Sequence, residues 1–168
     1  MTRRFAFLAI LLAIALAVPA LAHAQKPNFS GKWVQDMDKS DPAPAGRGSG
    51  GAGGGGGARG PAGPQALTYT MTAADLTIER EGANGVTKTV YKLDGSPSSN
   101  AGGRGGDVVS KTVWEGNTLV TTYDRTMGET TVKVKEVRTM DGDNLVVTTT
   151  NTGGPNGDTT RKIVFKKG

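Results

Sequence analysis

The sequence predicts an all-β protein, an antiparallel up-and-down meander of about eight to ten strands that forms a closed or partly open barrel. From Leu67 onward, short segments rich in Thr and Val alternate polar and apolar residues. Turns of Gly, Asn and Asp separate these segments, and no apolar repeat of helical period follows the first two dozen residues. Because sequential antiparallel strands leave two exposed edges unless the sheet curls, closure is the simplest outcome.

Residues 1–24 predict a signal peptide. Arg3 and Arg4 precede an apolar run over residues 5–16, and Ala22-His23-Ala24 is a small-x-small cleavage site. The run is shorter than the roughly 20 residues that a spanning helix needs. We therefore expect a periplasmic or secreted protein with no membrane span after cleavage. The strongly apolar run favours the general secretory route over the twin-arginine signal that the arginine pair also resembles.

Cleavage would leave a chain without histidine, because His23 is the only one, and the sequence has no cysteine. These absences exclude Ser-His-Asp and Cys-His catalysis, disulfides and the usual zinc sites. The absences do not exclude catalysis by a pair of carboxylates, but most acidic residues lie in or beside turns, where Asp is common. We therefore predict no enzyme, no cofactor and no metal. The net charge of +5 would fall by two with Arg3 and Arg4, and we expect the remaining excess to be spread over the chain, which favours solubility over a polyanionic partner.

The segment from Phe29 to Val34 predicts the first strand, against which the later strands close. Alternation puts Phe29, Gly31 and Trp33 on one face. Gly31 leaves room for a neighbouring backbone or ring, and Trp33 is too large to be left in water.

Gly31-x-Trp33 on this strand resembles the Gly-x-Trp signature of lipocalins and related calycin barrels, which implies a lipocalin-like barrel. The resemblance also implies that Trp33 closes the barrel floor, under an arginine from a late strand. Arg161 could take that part, because it shares a strand face with Ile163 and Phe165. Gly31, Trp33, Arg161 and Phe165 are thus the expected closure residues. The wider run over residues 28–40 is similar to a group of small secreted bacterial proteins of unassigned function.

Residues 38–65 interrupt the pattern of strands. Prolines flank a glycine run over residues 46–60 that has almost no side chain to bury, so we predict a disordered Gly/Pro-rich loop within a single domain of residues 25–168. Arg47 and Arg59 raise the alternative of an Arg/Gly nucleic-acid tail, but no aromatic residue is interleaved and an export signal precedes them. We therefore expect no nucleic-acid partner. The glycine spacing matches neither a P-loop nor a dinucleotide fingerprint.

The remaining strands follow in order. They are predicted at residues 67–72, 76–81, 86–93, 108–114, 118–127, 130–140, 145–151 and 160–166. Residues 94–106, rich in Gly and Ser, predict a second flexible loop, at the end of the barrel opposite the loop 38–65. Val132 and Val134 share one face of their strand, whereas Val137 falls on the other face. A β-bulge near Lys135-Glu136 would restore the alternation, so we predict one there.

The aromatic residues of these strands are the candidates for lining a cavity: Tyr69, Tyr91, Trp114 and Tyr123. Arg125 shares a face with Tyr123 and could meet a ligand carboxylate. The alternative is that Arg125 points outward or pairs with a neighbouring acid such as Glu136. The segment 141–144 could hold calcium, but it lacks the spacing and terminal Glu of an EF-hand loop, so a turn is preferred.

The favoured function is an exported lipocalin-like binding module for a small apolar or amphiphilic ligand. The alternative is a non-catalytic structural or interaction protein of the cell envelope whose barrel is filled by side chains. The sequence leaves the ligand and the oligomeric state open.

Overall fold

The computed structural model describes residues 26–42, 64–82, 85–102, 106–127, 129–155 and 157–168. The predicted signal peptide and residues 43–63 of the predicted Gly/Pro-rich loop lie outside these ranges. The described residues contain ten strands and no helix, and so no helix that could span a membrane. The strands are β1 (Gly31–Gln35), β2 (Ala66–Met71), β3 (Asp75–Gly82), β4 (Gly85–Lys92), β5 (Ser98–Ala101), β6 (Asp107–Glu115), β7 (Thr118–Met127), β8 (Thr130–Asp141), β9 (Asn144–Thr152) and β10 (Thr159–Lys167).

All ten strands belong to one antiparallel sheet in the order β4-β3-β2-β1-β10-β9-β8-β7-β6-β5. β1 lies in the middle, where Trp33 is opposite Leu67 of β2 and Lys167 of β10. The first strand therefore joins the two halves of the meander, and the predicted all-β barrel is confirmed.

The two edge strands, β4 and β5, meet at a seam that side chains bridge. Asn100 Nδ2 donates to the Val90 carbonyl at 2.8 Å, and Asn100 Oδ1 accepts from the Val90 amide at 2.8 Å. The Lys92 amide donates to Ser98 Oγ at 2.8 Å. The Asn100 amide thus takes the place of a backbone unit and satisfies polar groups that the edge of β4 would otherwise present to water.

The barrel has two different ends. The apolar end carries the β2–β3, β4–β5, β6–β7 and β8–β9 turns together with the N-terminal segment 26–30, and the loop end carries the other connections. The N-terminal segment folds back over the apolar end. Trp33 Nε1 donates to the Phe29 carbonyl at 2.8 Å, and the Phe29 ring stacks on Trp114 at 5.7 Å between centroids. Phe29 and Trp33 are both fully buried, so this end is plugged by apolar side chains.

The cation over the Trp33 ring is Lys167, whose Nζ lies 4.7 Å from the ring centroid. The sequence analysis expected Arg161 there. Arg161 instead lies opposite Thr149, nearer the loop end of β10. Gly31, with φ of 136°, makes room for Lys167, because a Cβ at that position would lie 3.1 Å from its Nζ. Phe165 is buried in the core.

The predicted β-bulge in β8 is wrong. β8 pairs with β7 in unbroken register, from Leu119 opposite Arg138 to Met127 opposite Thr130. Alternation therefore carries Glu136 and Arg138 inward after Val134, and Val137 faces outward. A bulge would be needed only if all inward side chains of β8 were apolar, whereas this interior accepts charged ones.

Both predicted loops contain more order than expected. β5 lies inside the interval 94–106 and brings the nine strands placed from the sequence to ten. Residues 94–97 are at the apolar end, whereas Gly102 and Gly106 are at the loop end. The inward residues of β5 are polar, so this strand has no apolar alternation to reveal it. Residues 36–41 run along β10, where the Asp36 amide donates to the Val164 carbonyl and the Asp41 amide to the Lys162 carbonyl.

The segment 141–144 forms the β8–β9 turn. Asp141 and Asn144 are the last pair of the ladder, and Gly142 has the positive φ, 57°, that the turn needs. This geometry agrees with the turn that the sequence analysis preferred.

Replacing Asn100 with Ala should weaken the seam. The substitution removes both hydrogen bonds to Val90, and we expect a loss of about 1–2 kcal/mol in the free energy of unfolding. Hydrogen exchange should accelerate at the Val90 and Lys92 amides. Ser99→Ala is the matched control, because Ser99 is an exposed neighbour on the same strand. Unchanged exchange at both amides in Asn100→Ala would contradict the assignment.

Candidate functional site

Every arginine in the described ranges faces the barrel interior. Arg80 is opposite Leu67, Arg125 is opposite Val132, Arg138 is opposite Val147, and Arg161 is opposite Thr149. The Nε atom of each of these arginines is buried without a hydrogen-bond partner among the described residues. Such atoms are costly in a folded protein and call for a partner.

Lysines are distributed in the opposite way. Apart from Lys167, the strand lysines face outward and are exposed: Lys32, Lys88, Lys92, Lys111, Lys133, Lys135, Lys162 and Lys166. All fifteen acidic residues of the chain fall in the described ranges, and Glu136 is the only one that the strand register places inside. The positive residues, which we expected to be spread over the chain, are thus separated by type, with the described arginines inside and the strand lysines other than Lys167 outside. The interior is cationic.

Arg138 organises the middle of the barrel. It is 3% exposed, its Nη2 donates to Glu136 Oε2, and its Nη1 donates to Thr121 Oγ1 at 2.9 Å. The guanidinium carbon lies 5.3 Å from the centroid of the Tyr91 ring. The Tyr123 hydroxyl donates to Glu136 Oε1 at 3.0 Å. One ion pair thus connects β4, β7 and β8 through the interior.

The protonation states in this cluster follow from burial and from the ion pair. Burial raises the pKa of Tyr91 to about 12, and the Glu136 charge adds to the rise while Arg138 opposes it. Burial likewise raises the pKa of Tyr69 and of Tyr123, and in Tyr123 the charge of Glu136 adds to the rise. Burial has the largest single effect on Arg138 and by itself would lower its pKa, but the negative charge of Glu136 together with Tyr69 and Tyr91 outweighs burial and raises that pKa. At neutral pH the tyrosines are therefore neutral and Arg138 is charged.

The structure brings most of the predicted ligand-binding residues together. Tyr91 and Tyr123 contact the Arg138 cluster, and Tyr69 is buried within reach of the Arg138 charge. Arg125 faces inward near Tyr123, so it does not point to solvent, and the acid that was its alternative partner pairs with Arg138. Trp114 is separate from this group, because it lies at the apolar end.

Arg138, Glu136 and the buried hydroxyl pair of Thr112 and Thr121 were missed by the sequence analysis. The two threonine hydroxyls lie 2.9 Å apart. A signal for Glu136 and Arg138 was present, since simple alternation from Val132 to Met140 puts both on the inner face. The same alternation puts Thr112 on the face of Trp114 and Thr121 on the face of Tyr123, but the many threonines were attributed to strand propensity alone.

A cleft of about 650 Å³ lies at the apolar end, outside the Phe29–Trp114 stack. The N-terminal segment, the β2–β3 and β4–β5 turns and Trp114 line it, with both charged and apolar residues such as Lys26, Met71, Asp75 and Leu93. Lys26 Nζ lies 5.4 Å from the centroid of the Trp114 ring. None of the inward arginines lines this cleft.

Comparison with solved structures shows the fold. The chain is similar to the zebrafish ileal bile acid-binding protein in complex with cholic acid (TM-score 0.58, 18% identity, 83% of this chain and 98% of the other). It is also similar to fatty-acid-binding protein 1 of Echinococcus granulosus (TM-score 0.53, 13% identity, 83% of this chain and 96% of the other). A third similar structure is lipid binding protein 8 of Caenorhabditis elegans (TM-score 0.56, 8% identity, 86% of this chain and 100% of the other). The fold is a calycin-type barrel. No family model and no curated protein matches the sequence.

The three tyrosines, which are all the tyrosines of the chain, should lose their protons at a higher pH than free tyrosine does. Their raised pKa values mean that the folded state holds protons that the unfolded state releases near pH 10. Stability should therefore be unaffected by tyrosine ionisation below pH 10 and should fall as the pH rises from about 10 to 12. We expect tyrosinate absorbance to rise together with loss of the β-sheet circular dichroism signal. A tyrosine that titrates near pH 10 in the folded protein would contradict the burial of that side chain.

Proposed function

We propose that the protein is a non-catalytic binding module whose barrel holds a small amphiphile with an anionic head. The observation that carries the proposal is the division of the interior into two zones. The buried hydrophobic side chains surround the Arg138–Glu136 pair, whereas the strand ends at the loop end hold three further arginines and no inward acid. An apolar cavity with a few convergent polar groups is the usual form of a site for such ligands.

The similar structures support this proposal by what their names state. They are a bile acid-binding protein, a fatty-acid-binding protein and a lipid binding protein. Bile acids and fatty acids each join an apolar body to a carboxylate. A ligand of this kind would place its apolar body among the core side chains of our protein and its charge among the arginines.

Export is part of the same proposal. The basic, apolar and small-x-small pattern of residues 1–24 supports it. This chain has no cysteine, so as an exported carrier of amphiphiles it would have to keep its fold without disulfides. The closed sheet, with its plugged apolar end, gives such a protein its core.

One observation favours the second candidate, an interaction protein with a filled barrel. Arg138 already has an internal counter-ion in Glu136 and a hydrogen bond to Thr121, so the middle of the barrel is satisfied in part without a ligand. The two candidates differ in whether an amphiphile enters the barrel.

Titration with a fluorescent fatty-acid analogue, followed by displacement with laurate, separates the two candidates. We expect saturable binding of one probe per chain. Thr89→Trp should abolish it, because Thr89 faces inward opposite Ile78 and the added ring would occupy the interior.

Lys88→Trp is the matched control, since Lys88 is the exposed, outward neighbour on the same strand. Circular dichroism should show an unchanged fold in both variants. Absence of saturable binding in the unmodified protein, or equal binding by both variants, would favour the filled barrel.

A further inference from the structure

Three of the four inward arginines lie near the ends of their strands, on the side of the loop end. Arg80 lies two residues before the end of β3, Arg125 lies two residues before the end of β7, and Arg161 lies two residues after the start of β10. All three strand ends belong to the loop end. We call these residues the arginine ring. Arg138 is not part of it, because it lies eight residues from the start of β8, on the apolar-end side of its own strand.

The arginine ring is contributed by three strands that are spaced around the barrel. In the strand order, two strands separate β3 from β10, and two separate β10 from β7. Across the seam, three strands separate β7 from β3. Side chains that face inward from such spacing converge toward the barrel axis.

The arginine ring lacks acidic partners. The salt bridges of the described residues include none to Arg80, Arg125 or Arg161, and no acid lies outside the described ranges. The polar contact of Arg161 is a 3.5 Å approach of Nη2 to the carbonyl oxygen of Asp41. Three positive groups with buried, unpartnered Nε atoms repel one another and favour an anion between them.

We propose that the arginine ring binds the headgroup of an amphiphile that carries more than one negative charge, of the phosphate monoester class. This inference rests on the proposed function and specifies its ligand. A monocarboxylate brings one charge and two oxygens, which a single guanidinium can satisfy in a bidentate pair. A phosphate monoester brings about 1.5 to 2 negative charges and three acceptor oxygens at pH 7, enough for one oxygen per arginine.

Arg138, which is not part of the arginine ring, does not compete for this headgroup. Its charge is paired with Glu136, so the middle of the barrel is close to neutral, while the arginine ring is not. The apolar chain of the ligand would then run from the ring toward the core.

Isothermal titration of the full-length mature protein with dodecyl phosphate, laurate and inorganic phosphate tests this inference. We expect dodecyl phosphate to bind about ten-fold more tightly than laurate or better, and inorganic phosphate to bind far more weakly than either. In the triple variant Arg80→Gln, Arg125→Gln, Arg161→Gln, the ratio of the two amphiphile affinities should fall to about one, because each removed charge acts mainly on the dianion.

The control replaces three outward lysines, Lys88→Gln, Lys133→Gln and Lys166→Gln, and should keep the ratio. Equal or tighter binding of laurate by the unmodified protein would overturn the inference while leaving the proposed function intact. This comparison uses the unmodified protein alone. A ratio that survives the triple arginine substitution would also overturn it, and the single Arg→Gln variants decide this if the triple variant does not fold. Inorganic phosphate that binds as tightly as dodecyl phosphate would overturn the amphiphile assignment. Binding of neither amphiphile would overturn the proposed function itself.

Discussion

The ion pair between Arg138 and Glu136 is the interaction on which the interior of this barrel depends. A guanidinium that is 3% exposed cannot be left without a partner, because an isolated charge in a protein interior costs several kcal/mol. Glu136 supplies the counter-charge from two residues away on the same strand, and Tyr123 and Thr121 satisfy further donors and acceptors. This arrangement keeps β8 in simple alternation. A bulge would turn one of the two partners outward and leave the other one buried alone.

The two ends of the barrel follow different physical rules. At the apolar end, Phe29 and Trp33 are fully buried, and stacking on Trp114 adds to the hydrophobic closure. At the loop end, arginines face inward without acids. Arginine suits this position better than lysine, because its planar guanidinium keeps its charge and offers several donors when it is partly desolvated. The strand lysines lie almost entirely on the outer surface, where they are hydrated. This separation of the two cation types is the basis for proposing a ligand with one apolar and one anionic end.

Much of the fold could be predicted from the sequence, because period-two alternation and turn residues depend on local chemistry. The break predicted between the strands at residues 76–81 and 86–93, for example, falls where β3 and β4 meet at Gly82 and Gly85. β5 could not be predicted in this way. Its inward residues, Ser98 and Asn100, make hydrogen bonds to a neighbouring edge strand and form no apolar face.

The candidate site was only partly predictable for a related reason. Aromatic residues were expected inside because they are large and apolar, and Tyr69, Tyr91 and Tyr123 do face the interior. Arg125 and Arg161 were candidates for the interior, but Arg80, Arg138 and the inward position of Glu136 were not expected, and only the strand register shows that all four described arginines face inward. The choice of Lys167 over Arg161 above Trp33 depends on the pairing of β1 with β10, which no local pattern encodes.

A double-mutant cycle on Arg138→Met and Glu136→Gln tests the central claim most directly. Our account predicts that each single substitution lowers the free energy of unfolding by about 3 kcal/mol, since it leaves a buried charge unpaired. The double substitution should cost clearly less than the two single costs together, with a coupling energy of about 2 kcal/mol. Single costs below about 0.5 kcal/mol, or costs that simply add, would show that the two side chains do not form the interior ion pair on which the account rests.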